Sequence, residues 1–561
     1  MKERAGWPSI RTSLLLLLTA AGFLDIIASS INANIEWVPT NLQFGVFQLL
    51  PAGYWLGLGL IGLSMILGYR NGNEHLFVVQ ALLLFLAIWG VPSFFERLPS
   101  DWDVYHHYFQ VEEIMRTGST LASGPYAYIT NYPGFYVDGA VFSFLGHADP
   151  LQLLRFFPLF AAAFTLVSFY LFIRSFFPIR DFRLVLLIAM LADVWVQLIF
   201  NPQSLGLAAG LLALAFFERE GFRWMLASLA AFSYVVLSHP TTVPFVLGAL
   251  VIREIIVRLP LISRLVAKKG NPWAFVLFGL TWLAWLSSGA RTYSNILIDV
   301  ISQRLKFLVD IPEETGRVVA ARTTENIFTV APGVRTALIT LLGLLLVFCV
   351  FLYLFRSTRP KQRLPPTLTA LCFLGLIIVP LDLVLLGAQL YDRGILYFVF
   401  CAPGIILIAL ISSPKRIERR RGLIRKTAMR LLLLLAILCA FTAFYQECFN
   451  VVSDRSLKAS EFLAKEMPDG ALVIGGTYLP AIWADPDVGN FTGVRYLYAY
   501  PAPFQNITRI STAALVFDRT SELWQEQYGF GYIYRDYLAQ LDNSTKVYDS
   551  GAYMIIFGGP A

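Results

Sequence analysis

Apolar positions run through this chain in blocks too long and too even for a soluble core. The first is SLLLLLTAAGFLDIIASSI, and similar blocks recur to about residue 447, each bounded by a short polar or basic stretch. A hydrocarbon layer roughly 30 Å thick takes about 20 apolar residues to cross as a helix, so the pattern predicts helical spans. Beyond residue 450 the long blocks stop. Shorter runs, GALVIGG, TAALVFDR and AYMIIFGG, predict strands of a small α/β unit. The expected fold class is therefore a polytopic α-helical membrane protein with a small C-terminal α/β extracytoplasmic domain. The expected boundaries are residues 1–449 for the transmembrane domain and 450–561 for the tail.

Basic clusters orient the spans, because short Lys/Arg-rich loops mark the cytoplasmic side. Four stand out: RSFFPIRDFR (174–183), REIIVRLPLISRLVAKK (253–269), RSTRPKQR (356–363) and KRIERRRGLIRK (415–426). Between them the apolar blocks predict helices at about 242–258, 272–290, 334–355, 366–387, 394–412 and 427–447. The loops NPQS (201–204), SHPTT (238–242) and AQLYDRG (388–394) then fall outside, as does the longer stretch 291–332. The segment GFYVDGAVFSFLGH (134–147) is short for a crossing and holds Asp138, so a re-entrant or interfacial helix is expected there. This path gives thirteen spans, a cytoplasmic N-terminus and a large external loop over 96–149. The apolar run after MKERAGWPSIR continues well past the small residues at 19–21, longer than a signal core needs, and reads as a first anchor.

Composition narrows the function classes. The chain is 57% hydrophobic and 14% charged, with a mean hydropathy of +0.62, which excludes an ordinary soluble domain. Its net charge of +7 sits in cytoplasmic loops, so it is not a nucleic-acid signal. The cysteines, Cys349, Cys372, Cys401, Cys439 and Cys448, lie in or at the edge of apolar segments and read as small packing residues. All three N-x-S/T triplets, at Asn490, Asn506 and Asn543, fall in the expected exterior tail and are candidate glycosylation sites.

Charges outside the cytoplasmic loops of a membrane protein usually serve a purpose. The densest group is DWDVYHHYFQVEEIMRTG at 101–118. A helix from Asp103 places Asp103, His106, His107 and Gln110 on one face, with Val104, Tyr108, Val111 and Met115 on another. The polar face would turn to a cavity, and Glu112 and Glu113 read as solvated surface. Arg393, in YDRG, stands at the outer mouth of a span, where a guanidinium can hold a phosphate by two parallel bonds. Snorkelling to lipid headgroups is its plain alternative, and Asp392 is a candidate ion-pair partner. Asn201, Gln203 and His239 offer hydrogen bonds to a polar ligand, with helix capping as the alternative. The loop 291–332 carries Arg291, Arg304, Lys306, Arg317 and Arg322 among acids and is long enough to be a binding or covering loop.

These features resemble the GT-C class of integral membrane glycosyltransferases, which take a sugar from a polyprenyl-phosphate or polyprenyl-diphosphate carrier at the external membrane face. The likeness rests on an acidic motif opening a large external loop, many spans and a soluble tail. In layout it is similar to the oligosaccharyltransferase catalytic subunit, whose first-loop aspartate often precedes a glycine by about fifteen residues, as Asp103 precedes Gly118 here. NYPG at 131–134 stands where that family has an aromatic-proline stretch. The tail lacks a WWDxG motif, and the second external loop reads NPQS rather than acidic, which argues against transfer to asparagine.

The resemblance implies an enzyme that transfers a sugar from a polyprenyl (dolichyl) phosphate carrier to a glycan, protein or lipid acceptor, with inversion. Asp103 would act as general base, assisted by Asp101. His106 and His107 would orient the acceptor or help hold a divalent cation, with magnesium or manganese left open for lack of oxygen ligands. Arg393 would bind the donor phosphate. The expected location is the cell membrane, multi-pass, and external sequons with so small a tail suit an archaeal surface. A lipid or solute transporter is the alternative. It would favour internal repeats and mid-span ionisable groups, whereas Asp25, Asp193 and Asp382 are isolated and no repeat is visible.

Overall fold

The computed structural model describes residues 10–69, 73–120, 130–147, 149–177, 179–192, 198–259, 266, 272–291, 295, 328–356, 363–385, 390–411, 418–466, 472–475, 495–498, 513–520, 522–523, 545–550 and 553–557. Their order begins with α1 (Ile10–Ser30), α2 (Ala52–Gly68), α3 (Glu74–Trp89) and the short α4 (Val91–Phe95). Next come α5 (Trp102–Thr117), α6 (Gly134–Gly146), α7 (Pro150–Arg174), α8 (Ile179–Ala192), α9 (Pro202–Phe217), α10 (Phe222–Ser238), α11 (Thr242–Arg258) and α12 (Pro272–Ser288). The chain then forms α13 (Val330–Arg356), α14 (Pro366–Leu385), α15 (Tyr391–Ile411), α16 (Glu418–Ala440), α17 (Glu447–Asn450) and α18 (Asp454–Glu466).

Four of these helices are long and apolar enough to cross a membrane: α1, α7, α13 over Val330–Tyr353, and α15. Eight shorter apolar helices of 10–17 residues accompany them among the described residues. The chain is a multi-pass helical membrane protein, and its outward faces match lipid. Leu17, Leu56, Phe142, Leu344 and Val347 are each more than half exposed although strongly apolar. Hydrophobic periodicity placed the helices well. The expected 242–258 segment is α11 itself, whereas the last expected span, 427–447, begins earlier and stops at Ala440, where six residues of turn intervene before α17.

Polar links tie helices of the bundle together. Thr19 and Gln80 both donate to Ser64 Oγ at 2.8 Å, tying α1, α2 and α3 together, as expected where lipid offers no competing partner. At the end of α3 remote from Trp89, Glu74 accepts from Arg174 at 2.6 Å and from Tyr170 at 2.8 Å. Arg183, buried beside them, donates to the Tyr69 and Asn73 carbonyls at 2.8 and 2.9 Å and lies over the Phe77 ring. The five cysteines are buried and unbridged.

The tail pairs α18 with five strands, β1 (Leu472–Gly475), β2 (Arg495–Tyr498), β3 (Ala513–Asp518), β4 (Thr545–Asp549) and β5 (Tyr553–Phe557), ordered β2-β1-β3-β5-β4. β1 runs parallel to β2 and β3, while β5 is antiparallel to β3 and β4. The apolar runs read from the sequence form β1, β3 and β5. Asn490, Asn506 and Asn543 lie outside the described residues, as do Asp193 and most of the loop 291–332, including Arg304, Lys306, Arg317 and Arg322.

Candidate functional site

The opening of the first loop is pinned before α5 begins. Asp101 takes a left-handed backbone, φ 77°, and its carboxylate accepts the Asp103 N–H at 3.0 Å, capping α5. Its own N–H donates to the Asn450 carbonyl at 2.8 Å, so the cap hangs from a segment distant in the sequence. Ser100 bonds Glu447, and Arg97 pairs with Asp454 at 2.7 Å and with Glu36 at 3.1 Å. At the other end Gly118 adopts φ 65° and its N–H closes on the Ile114 carbonyl at 2.8 Å. A C-terminal glycine in this conformation stops a helix without side-chain strain. The fifteen-residue step from Asp103 to Gly118 is therefore one helix, from its first turn to its glycine stop.

On α5, Asp103 Oδ2 lies 3.2 Å from His107 Nε2, one turn further on, and His107 Nδ1 lies 2.9 Å from the Tyr136 hydroxyl of α6. An ionised carboxylate only accepts, so Nε2 carries the proton, and a neutral ring then accepts the tyrosine O–H at Nδ1. The Phe135 ring meets the imidazole edge-on at 6.2 Å and holds its plane. Asp103 keeps a third of its side chain exposed, against 14% for His107. The carboxylate is thus the open end of a supported chain. Val104, Tyr108 and Val111 are buried, whereas Met115, grouped with them by spacing, is 45% exposed, and Gln110, grouped with the polar face, is buried. Glu113 is ion-paired with Arg116 at 2.8 Å rather than freely solvated. Of His106 the backbone alone is described.

Asp101 is perturbed. Burial first, then the neighbouring Asp103 charge, push its carboxyl up to about 7, against the pull of the Asp103 N–H. It caps and positions the helix, while Asp103 faces outward.

A second set of side chains comes from the mouths of three helices. Arg393 stands in the first turn of α15, its N–H bonded to Asp392 Oδ1 at 2.8 Å, and its guanidinium donates to Gln203 Oε1 at 3.1 Å. Asp392 therefore serves the backbone here. The start of α15 is set by Asp382, which accepts the Leu390 N–H at 2.7 Å, and by a glycine contact with α14. A Cβ on Gly375 would stand 2.5 Å from the Gly394 carbonyl oxygen. Gln203 sits in the first turn of α9, which Asn201 caps by accepting the Ser204 N–H at 3.0 Å. Asn201 thus has a capping role, while Gln203 reaches Arg393.

His239 follows α10, with Nδ1 2.7 Å from Thr242 Oγ1, and Thr242 also bonds the Tyr397 hydroxyl. It approaches α9 at Gly206, where a Cβ would stand 2.7 Å from the His239 Cβ. Burial, then the charges of Arg393 and His107, hold its pKa well below the usual imidazole range. His239 is consequently neutral, and it lies in electrostatic reach of both other groups. Asp103 and His107 of α5, with Gln203, His239 and Arg393 from three distant stretches of the sequence, form one neighbourhood. Sequence reasoning missed Tyr136, Thr242 and Tyr397, whose types are ordinary in apolar helices. It also set aside Asp382, whose role depends on a backbone N–H.

Beside this neighbourhood an apolar groove of about 270 Å³ lies between α6 and α7. Phe135 and Phe200, 4.7 Å apart, close its inner end, and the half-exposed Phe142, Phe156 and Phe160 border its outer part. Among the described residues no three His, Cys, Asp or Glu side chains converge to hold a metal ion.

No family model matches the chain, and no curated protein matches it. Among solved structures the chain is similar to apo ArnT from Cupriavidus metallidurans, at a TM-score of 0.39 and 14% identity over 87% of this chain and 99% of that one. It is likewise similar, at a TM-score of 0.37, 14% identity and the same coverage, to ArnT from the same organism bound to undecaprenyl phosphate.

Proposed function

We propose that the protein is a membrane glycosyltransferase of the GT-C type, moving a sugar from a polyprenyl-phosphate carrier to a hydroxyl acceptor at the external membrane face with inversion. The observation that carries the proposal is the Asp103–His107–Tyr136 chain, a solvent-reachable carboxylate held by a partly buried imidazole, in one neighbourhood with the Arg393–Gln203 pair. Asp103 takes the acceptor proton as the new glycosidic bond forms, which requires a carboxylate within hydrogen-bond reach. His107, donating through Nε2, fixes the orientation of that carboxylate. Arg393 binds the carrier phosphate, the leaving group, and the positive end of α15 adds to its field. His239, being neutral, offers a hydrogen bond without competing for the phosphate charge. The phenylalanine groove takes the first units of the prenyl chain, so the donor enters sideways from the bilayer.

The test is transfer by the full-length protein in detergent, with radiolabelled dolichyl-phosphate sugars and membrane extract as acceptor. Replacing Asp103→Asn should lower the rate about 100-fold or more, and Arg393→Ala should weaken donor binding. Equal transfer by wild type and Asp103→Asn sinks the assignment of the base. Movement of lipid across the bilayer without sugar consumption favours a transporter instead.

A further inference from the structure

Gln203 stands at the start of α9 and His239 just past the end of α10, so the turn joining these helices, residues 218–221, lies at the opposite membrane face from both. Gly221 in that turn takes φ 106°, a conformation that favours glycine, and returns the chain sharply into α10. The return brings Arg219 and Arg223 to one aromatic platform. Their guanidiniums stand over the Trp224 ring at 4.3 Å and 5.3 Å, and that of Arg219 also meets the Phe216 ring at 5.8 Å. Phe216 and Trp224 pack 5.4 Å apart, one ring from each helix, which holds the platform in place.

Cation–π contact positions a guanidinium without using its N–H donors. Neither the Arg219 nor the Arg223 guanidinium forms a hydrogen bond or ion pair among the described residues. Other arginines of this face are engaged, Arg174 with Glu74, and Arg253 and Arg258 with Glu254. Of the two acids in the turn, Glu218 bonds Thr367, and the exposed Glu220 pairs with neither arginine. Two cations gathered on one indole repel each other, and an anion with several oxygens accepts from both while relieving that repulsion. Phosphate is the group whose oxygens match guanidinium donors best.

The neighbouring surface of α10 decides where the phosphate comes from. Phe222 is 70% exposed and Leu226, one turn on, 47%, and Ala230 after them is exposed too. Positions i, i+4 and i+8 form one strip along a helix, here running from the arginines into the bilayer. A soluble anion would leave this strip unused, whereas a phospholipid lays an acyl chain along it. Two arginines against the single carboxylate of Glu220 leave the turn positive, which favours a headgroup without an ammonium.

We infer that the turn between α9 and α10 binds one anionic phospholipid, its phosphodiester held between Arg219 and Arg223 and an acyl chain along Phe222, Leu226 and Ala230. The lipid clamps together two helices whose far ends carry Gln203 and His239, and its binding is independent of the transfer proposed above.

The test is native mass spectrometry of the full-length protein in detergent, titrated with dioleoyl phosphatidylglycerol or dioleoyl phosphatidylcholine. The expected result is tighter retention of the first phosphatidylglycerol than of phosphatidylcholine, unaffected by excess inorganic phosphate. Arg219→Gln and Arg223→Gln should each weaken that retention about fivefold, and together about 30-fold, as loss of one and two surface cations would. Arg258→Gln removes a cation that is 68% exposed on the same face and should change nothing. The double lysine variant keeps both charges and should bind within a few-fold of wild type, which separates loss of the site from misfolding. Equal retention of the two lipids, displacement by phosphate, or unchanged retention in the double glutamine variant overturns the inference. Equal weakening by Arg258→Gln does so too, because it marks diffuse attraction to a basic face.

Discussion

Two aspartates two residues apart have different tasks because of their backbones. Asp101 turns its carboxylate back to cap α5, and Asp103, one step into the helix, projects towards His107. The glycine spacing singled out Asp103 in the sequence, and in the structure Asp101 is the residue that caps the helix. The raised Asp101 carboxyl has a consequence for stability. It is raised from the ordinary 3.8 to about 7, so the folded chain holds a proton that the unfolded chain releases earlier. Between those values stability falls as pH rises, and the cost is full above the folded pKa. Thermal unfolding of the purified protein should therefore occur at lower temperature at pH 8 than at pH 5. Asp101→Asn should flatten that slope, and an unchanged slope would show that other groups produce it.

At the scale of elements, α5 was legible because its charge pattern and its glycine stop agree on one helix. The polar partners of that helix were not, since Tyr136 and Thr242 lie in segments whose apolar character hides single hydroxyls. The mouth of α15 shows the same limit. YDRG marked Arg393, but what places it is a backbone approach, Gly375 against Gly394, together with Asp382 holding the preceding loop. Gly375→Leu should force α14 and α15 apart and destabilise the protein by about 1–3 kcal/mol, as overpacking does. The expected readout is a lower unfolding temperature with weakened donor binding. Normal values for both would mean that the two helices accommodate the side chain.

Across the whole molecule, hydrophobic blocks located the helices and the short apolar runs located strands of the tail sheet, because both follow from local periodicity. The site was legible only as candidates. Which of them share a neighbourhood depends on helix packing over hundreds of residues, and the groove leaves no local signature. The short passage into α9 illustrates this, with Phe200 lining the phenylalanine groove and Gln203, three residues on, bonded to Arg393.

The hydrogen bond from Asp101 to Asn450 joins the first loop to residues synthesised after the last long apolar helix. Together with the Ser100–Glu447 and Arg97–Asp454 contacts, it makes α5 dependent on a segment about 350 residues downstream. A nascent chain can thus insert most of its helices and still lack an ordered first loop. The contacts that hold the start of the first loop form only once residues 447–454 have been made. A chain ending at Tyr445 should reach the membrane yet be inactive, and co-expression of residues 413–561 as a separate piece should restore activity. Activity in the truncated chain alone would show that the first loop orders itself without this late clasp.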